Sequence, residues 1–122
     1  MTLQELYREI GGDYEQALRV LRVDKLLDKH IRKLPKNGVV EGLLSAGETK
    51  DPKTLFEAAH AVKGLCANLG LTELSQNASE IAEEFREGST RKLSDAEVSE
   101  RIDRIRTLYR KAADGIARYE AQ

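Results

Sequence analysis

The 122-residue sequence has little of several features that would indicate other kinds of protein. It contains one cysteine, two prolines and no tryptophan, and aromatic residues make up 5% of the chain. A single cysteine excludes an internal disulfide, and so few prolines and aromatic residues favour a helical protein over a β-rich one. No apolar run approaches the roughly 18 residues of a membrane span, and no charged-then-apolar leader is present. We expect a single cytoplasmic domain over residues 1–122, without membrane association.

Neither sign of charge dominates the chain. Charged residues make up 34% of it, but 20 basic side chains nearly balance 21 acidic ones, and the formal net charge is −1. Domains that bind nucleic acid usually carry a basic patch that neutralises phosphates. The balance therefore argues against nucleic acid as a partner.

The motifs of several enzyme and metalloprotein classes are also absent. Gly11-Gly12 lacks the strand, helix and lysine of a nucleotide-binding loop. The only two histidines, His30 and His60, fall on separate predicted helices without carboxylates at metal-ligand spacing. We expect no intrinsic kinase activity, no bound cofactor, and no zinc or di-iron site.

Apolar residues recur at helical spacing along most of the chain. The clearest helix start is Ser94-Asp95-Ala96-Glu97, a capping box, and from Val98 to Tyr119 apolar residues follow at intervals of 4 and 3 in alternation. Other helix ends are predicted from single residues, with starts at Asp13, Asp24, Asp51 and Thr72 and stops near Gly11, Pro35, Gly47 and Gly70. These patterns predict an all-α fold: an antiparallel four-helix bundle with additional short N-terminal helices.

One histidine is predicted to face away from the core of this bundle. On a helix with 100° per residue, Phe56, Lys63, Gly64 and Ala67 fall within about 60° of His60. The apolar residues of the segment cluster on the other side of the helical wheel, at Leu55, Ala59, Val62, Cys66 and Leu69. His60 is therefore expected to face solvent or a partner, whereas Cys66 is expected to be a small buried residue.

The neighbours of His60 suit the chemistry of phosphate. A neutral imidazole is a nucleophile that can form a covalent intermediate, and its ordinary pKa lies close to neutrality. Lys63 and Gly64, three and four residues later, adjoin the imidazole on the helix surface. Phosphoryl transfer needs mainly positioning and charge neutralisation. A nucleophile, a cation and a steric gap on one face form a minimal phosphoryl-accepting site.

The segment His60-Ala61-Val62-Lys63-Gly64, with Asn68-Leu69-Gly70 after it, closely resembles the core motif of histidine-containing phosphotransfer (HPt) domains. The resemblance is good from Leu55 to Gly88. It implies a helical bundle that shuttles a phosphoryl group between a histidine and the aspartate of a receiver domain, without kinase activity. By this resemblance His60 is the phosphoacceptor, Lys63 neutralises the phosphoryl group and Gly64 keeps the approach clear.

The resemblance also implies the partners. These are response-regulator receiver domains and a hybrid histidine kinase, and the receiver would supply any magnesium. The docking surface is predicted to comprise the His60 face, with Phe56 and Ala67, and two small residues of the next helix, Ala78 and Ala82. The charged segment from Glu83 to Glu87 is expected on a solvated helix face, with Arg86 at the border of the docking surface. We expect a monomer.

The sequence departs from the family pattern at three positions. Ala61 stands where many members have threonine, Glu57 where many have a basic residue, and Ala82 where many have a glutamine close to the phosphate. These departures leave open an alternative function, in which the chain is a helical adaptor that docks signalling partners without being phosphorylated.

Overall fold

A computed structural model describes all 122 residues and contains seven α-helices and no β-strand. The helices are α1 (Leu3–Ile10), α2 (Tyr14–Leu21), α3 (Asp24–Lys33), α4 (Val39–Thr49), α5 (Pro52–Asn68), α6 (Thr72–Phe85) and α7 (Asp95–Glu120). The last four form the bundle, in which α5 and α7 each pack against both α4 and α6. The three short N-terminal helices pack outside it, α1 and α3 on α7 and α2 on α5. The prediction of an all-α bundle is confirmed.

A single hydrophobic core connects all seven helices. The apolar stripe predicted for α7 is confirmed, since its members from Val98 to Ile116 are buried and Tyr119 is half-buried. Cys66 is also buried, and burial raises the pKa of its thiol to about 12. A thiol with so high a pKa stays protonated at neutral pH. Cys66 is therefore a packing residue, as predicted.

Side-chain caps begin four of the seven helices, including the two longest, α5 and α7. Asp51 and Ser94 each accept a hydrogen bond from a backbone N–H of the first turn, and Glu97 completes the predicted capping box. Two predicted caps were wrong: Asp24 and Thr72 are the first residues of α3 and α6, and neither helix has a side-chain cap. The start of α6 is instead fixed by the preceding turn.

Helix α4 continues to Thr49, past its predicted end near Gly47. The reason lies in tertiary packing. A Cβ at Gly47 would lie 3.1 Å from the Ile102 side chain, so the glycine lets α4 approach α7 closely without ending the helix.

The turn between α5 and α6 also joins the bundle to the N-terminal helices. Gly70 adopts the left-handed conformation (φ +69°) that ends a helix at little cost only for glycine. Its carbonyl accepts a 2.7 Å hydrogen bond from the Asp13 backbone, and the Leu69 carbonyl accepts one of 2.6 Å from the Tyr7 hydroxyl. Two consecutive carbonyls therefore anchor α1 and α2 at the end of α5.

The charged end of α6 includes a buried carboxylate. Glu84, expected on a solvated face, is only 6% exposed. It accepts hydrogen bonds from the Arg91 guanidinium (2.5 Å) and from the backbone N–H groups of Lys92 (3.0 Å) and Leu93 (2.9 Å). These partners satisfy its charge and tie the loop before α7 to the end of α6.

We expect Gly70→Ala to lower the free energy of unfolding by about 2–4 kcal/mol. The left-handed conformation costs a residue with a Cβ roughly 1–2 kcal/mol, and the new Cβ would lie 2.3 Å from the Asp13 carbonyl oxygen. Gly88→Ala is the matched control, because Gly88 is also left-handed (φ +86°) but has open space around it. Urea unfolding of both variants separates the cost of the left-handed backbone, which both variants share, from the cost of the steric clash, which only Gly70→Ala has. Equal losses of unfolding free energy would contradict the close contact with Asp13.

We also expect Glu84→Gln to destabilise the protein by about 1–3 kcal/mol at neutral pH, because a charged hydrogen-bond network is lost. Burial alone would raise the pKa of Glu84, but the Arg91 side chain and the two backbone N–H groups together lower it below the ordinary value of 4.5. The stabilisation is thus complete above pH 4.5 and is lost as the pH falls through the lower folded-state value. Denaturant unfolding along a pH series should show the native and variant proteins converging in acid. Glu100→Gln, on an exposed part of α7, should show no such convergence.

Candidate functional site

His60 lies in the middle of α5 on the side that faces solvent. The opposite side of α5 is buried in the core through Leu55, Ala59, Val62 and Cys66. Because α5 has 3.6 residues per turn, burial of that stripe leaves His60 exposed. The predicted orientation of the imidazole is confirmed.

An aromatic ring supports the imidazole from the preceding turn. The ring of Phe56 stacks on His60, with 5.8 Å between centroids and 20° between planes. The Arg86 guanidinium, just after α6, lies 5.6 Å from the centre of the Phe56 ring. Phe56 is half-buried, as expected for a side chain packed between two others. The sequence predicts Phe56 on the docking surface, and the structure shows that it also contacts the imidazole.

Lys63 is half-buried at the seam between α5 and α6. Its carbonyl accepts a 3.0 Å hydrogen bond from the Ser75 hydroxyl, which holds the two helices together at this point. Its ammonium group is close enough to Glu83 to affect the titration of that carboxyl. The hydrogen bond and charge of Arg86 lower the pKa of Glu83, and the charge of Lys63 lowers it further.

Gly64 borders open space. A Cβ added there would meet nothing within 4 Å, which excludes a close helix crossing as the reason for the glycine. Beside it, a polar groove runs between α5, α6 and the start of α2, lined by Lys63, Ala67, Asp13, Gln16, Ser75 and Ser79. The protein therefore presents a small-residue surface next to the imidazole.

Two of the predicted docking residues do not reach that surface. Ala78 and Ala82 are 0% and 1% exposed. Both belong to the apolar side of α6, where an alanine lets α5 and α6 approach closely. Their prediction as docking residues was wrong, and Ala82 offers the imidazole no polar group from α6. The exposed residues that α6 contributes near His60 are instead polar or charged.

A weak signal for that polar edge is present in the sequence. Glu83 and Arg86 are three residues apart, the spacing of neighbours on a helix, and their side chains form a 2.6 Å ion pair. The spacing predicts the pair, but only the packing of α5 on α6 shows that it lies next to Phe56 and Lys63.

An exposed apolar patch was not predicted. Val20, Val23 and Leu26, at the junction of α2 and α3, are 41%, 50% and 42% exposed. Val20 lies one helical turn after Gln16, which lines the polar groove. Val20 therefore lies on the same face of α2 as Gln16.

No group of three or more His, Cys, Asp or Glu side chains is arranged to hold a metal ion. None of the helices combines the length and the apolar character that a membrane crossing requires.

A family model described as Hpt domain matches residues 3–115, which is nearly the whole chain. Neither a curated protein nor a solved structure gives a significant match. The matched range includes His60 and all of the elements that position it. The chain therefore belongs to the Hpt domain family, whose members are phosphocarriers of histidine phosphotransfer in phosphorelays and not kinases.

Proposed function

We propose that this protein is a phosphorelay intermediate that accepts a phosphoryl group on His60 from the aspartate of one receiver domain and passes it to another. The observation that carries the proposal is the exposed imidazole with Lys63 and Gly64 beside it, on the face of α5 opposite the core. Family membership supports the same assignment.

The transfer is a balanced exchange of bonds at phosphorus. The lone pair of one imidazole nitrogen forms a P–N bond while the P–O bond to the receiver aspartate breaks, and the carboxylate leaves with the electron pair of that bond. The proton on the other ring nitrogen stays in place. The reverse step returns the phosphoryl group to a carboxylate. Lys63 offsets charge on the phosphoryl oxygens, and stacking on Phe56 holds the imidazole for in-line attack.

The receiver docks on the surface around His60. Gly64 and Ala67 are exposed and small, so the loops around the receiver aspartate can approach the imidazole. The patch of Val20, Val23 and Leu26 supplies apolar area beside the polar groove.

The receiver brings the magnesium ion that its aspartyl phosphate needs, and this protein contributes no cofactor. It acts as a monomer in the cytoplasm and takes its phosphoryl group from the receiver of a hybrid histidine kinase.

We expect purified, phosphorylated receivers of the same organism to transfer phosphate to the native protein and not to His60→Gln. His30→Gln is the matched control, because it removes the only other histidine, which is exposed on α3. The measurement is radiolabel retained on this protein in an acid-labile, alkali-stable form. If every receiver fails while one still binds the protein, phosphotransfer is excluded and the adaptor function is favoured.

We expect Gly64→Gln to reduce the transfer rate at least about tenfold, because a long side chain beside the imidazole blocks the receiver. The variant should remain folded, since the space around Gly64 is open. Gly64→Ala should be more stable than the native protein by about 0.5–1 kcal/mol, as for an unconstrained helix glycine. The control is Ala61→Gln, which places the same side chain at an exposed position off the His60 face. Unchanged transfer by folded Gly64→Gln would contradict the steric role.

A further inference from the structure

Arg86, the cation that packs on Phe56, already has an anionic partner in this protein. Arg86 donates two hydrogen bonds to the Glu83 carboxylate, of 2.6 and 3.3 Å. The positive charge of Lys63 also acts on Glu83, where it adds to the effect of Arg86 in lowering the pKa of the carboxyl. The Glu83 carboxylate is therefore paired with Arg86, and it also experiences the charge of Lys63 without an ion pair to it.

Both cations are linked to the imidazole through contacts on one surface. Lys63 is the i+3 neighbour of His60 on α5. Arg86 lies over Phe56, and Phe56 stacks on His60. The Glu83 side chain is exposed and makes no other side-chain hydrogen bond, so nothing in the fold requires a carboxylate there.

A phosphoryl group on His60 would change the charge balance of this surface. It would bring up to about two negative charges and strong acceptor oxygens. Those oxygens attract the same two cations, and the Glu83 carboxylate repels them. The phosphorylated state is therefore less stable with Glu83 than it would be with a neutral side chain of the same shape.

We propose that Glu83 is a positioning residue that pairs with Arg86 in the unphosphorylated protein and, by competing with the phosphoryl group for that guanidinium, biases transfer from His60 to the receiver aspartate. The bias rests on the proposed phosphotransfer function. The competition itself is a property of phosphorylated His60 and can be measured without a receiver. A purely supporting role, in which Glu83 holds Arg86 ready for the phosphate, predicts the opposite sign.

The test compares Glu83→Gln with Glu80→Gln. Both variants remove one negative charge from α6, but Glu80 pairs with Arg101 of α7 at 2.7 Å instead of with Arg86. Circular dichroism checks folding, and both variants are made in a His30→Gln background so that only His60 can be phosphorylated.

The first measurement uses phosphoramidate to phosphorylate His60 chemically and follows the last ionisation of the phosphoryl group by ³¹P NMR. A nearby carboxylate disfavours the dianion. We expect Glu83→Gln to raise the acid dissociation constant of the phosphoryl group about two- to fivefold, the range for screened surface charges. The change should be smaller in Glu80→Gln and should shrink at high ionic strength. No change, a decrease, or an equal change in Glu80→Gln would overturn the competition.

The second measurement is the equilibrium distribution of phosphate between this protein and a receiver. Glu83→Gln should shift it toward His60 by a similar factor of about two to five, and an unchanged distribution would overturn the proposed bias. If no receiver exchanges phosphate with the native protein, the proposed function fails. In that case the NMR titration still shows whether Glu83 competes for the Arg86 guanidinium.

Discussion

The burial of one apolar stripe determines how α5 presents its functional residues. Ala59 and Val62 are fully buried on either side of His60 in the sequence, and a helix cannot rotate to bury the imidazole without exposing both. Exposing a large, fully buried apolar side chain would cost roughly 1.5–3 kcal/mol. Burial of the residues on the exposed face of α5 would recover little of that free energy. The packing of α5 against α4 and α6 therefore fixes the direction of His60, and the orientations of Lys63 and Gly64 follow from it.

The same packing sets the surroundings of the imidazole at both ends of α5. At the C-terminal end, Gly70 turns the chain into α6 and accepts a hydrogen bond from the start of α2, so the polar groove lies between three anchored elements. At the other end, Phe56 and Arg86 form a short stack from α5 to the residue that follows α6. Glu84 holds the loop that comes next, through the backbone N–H groups of Lys92 and Leu93. The site has a rigid base because a helix, and not a loop, carries the imidazole and Lys63.

The features that could be predicted from the sequence are those with a local period or a local partner. The outward face of His60 and the capping box at Ser94 follow from spacing alone. The features that could not be predicted depend on distant contacts. Alanine is equally suited to a surface and to a tight helix crossing, so the burial of Ala82 can be predicted only when the position of α5 is known. From the sequence alone, Glu84 is indistinguishable from a surface charge. Its partners, seven to nine residues later, contact it only in the folded chain.

The charge arrangement around His60 fits a group that must be held and then released. A carrier that bound phosphate with several unopposed cations would stabilise the phosphorylated state and become a poor donor. This surface has two cations, Lys63 and Arg86, but a carboxylate neutralises Arg86, and Ala82 adds no hydrogen bond from α6. Because these charges are exposed and screened, each contributes little to the free energy of the phosphorylated state. In the function proposed here, small contributions of opposite sign would keep that free energy close to balance, which is the condition for transfer in either direction.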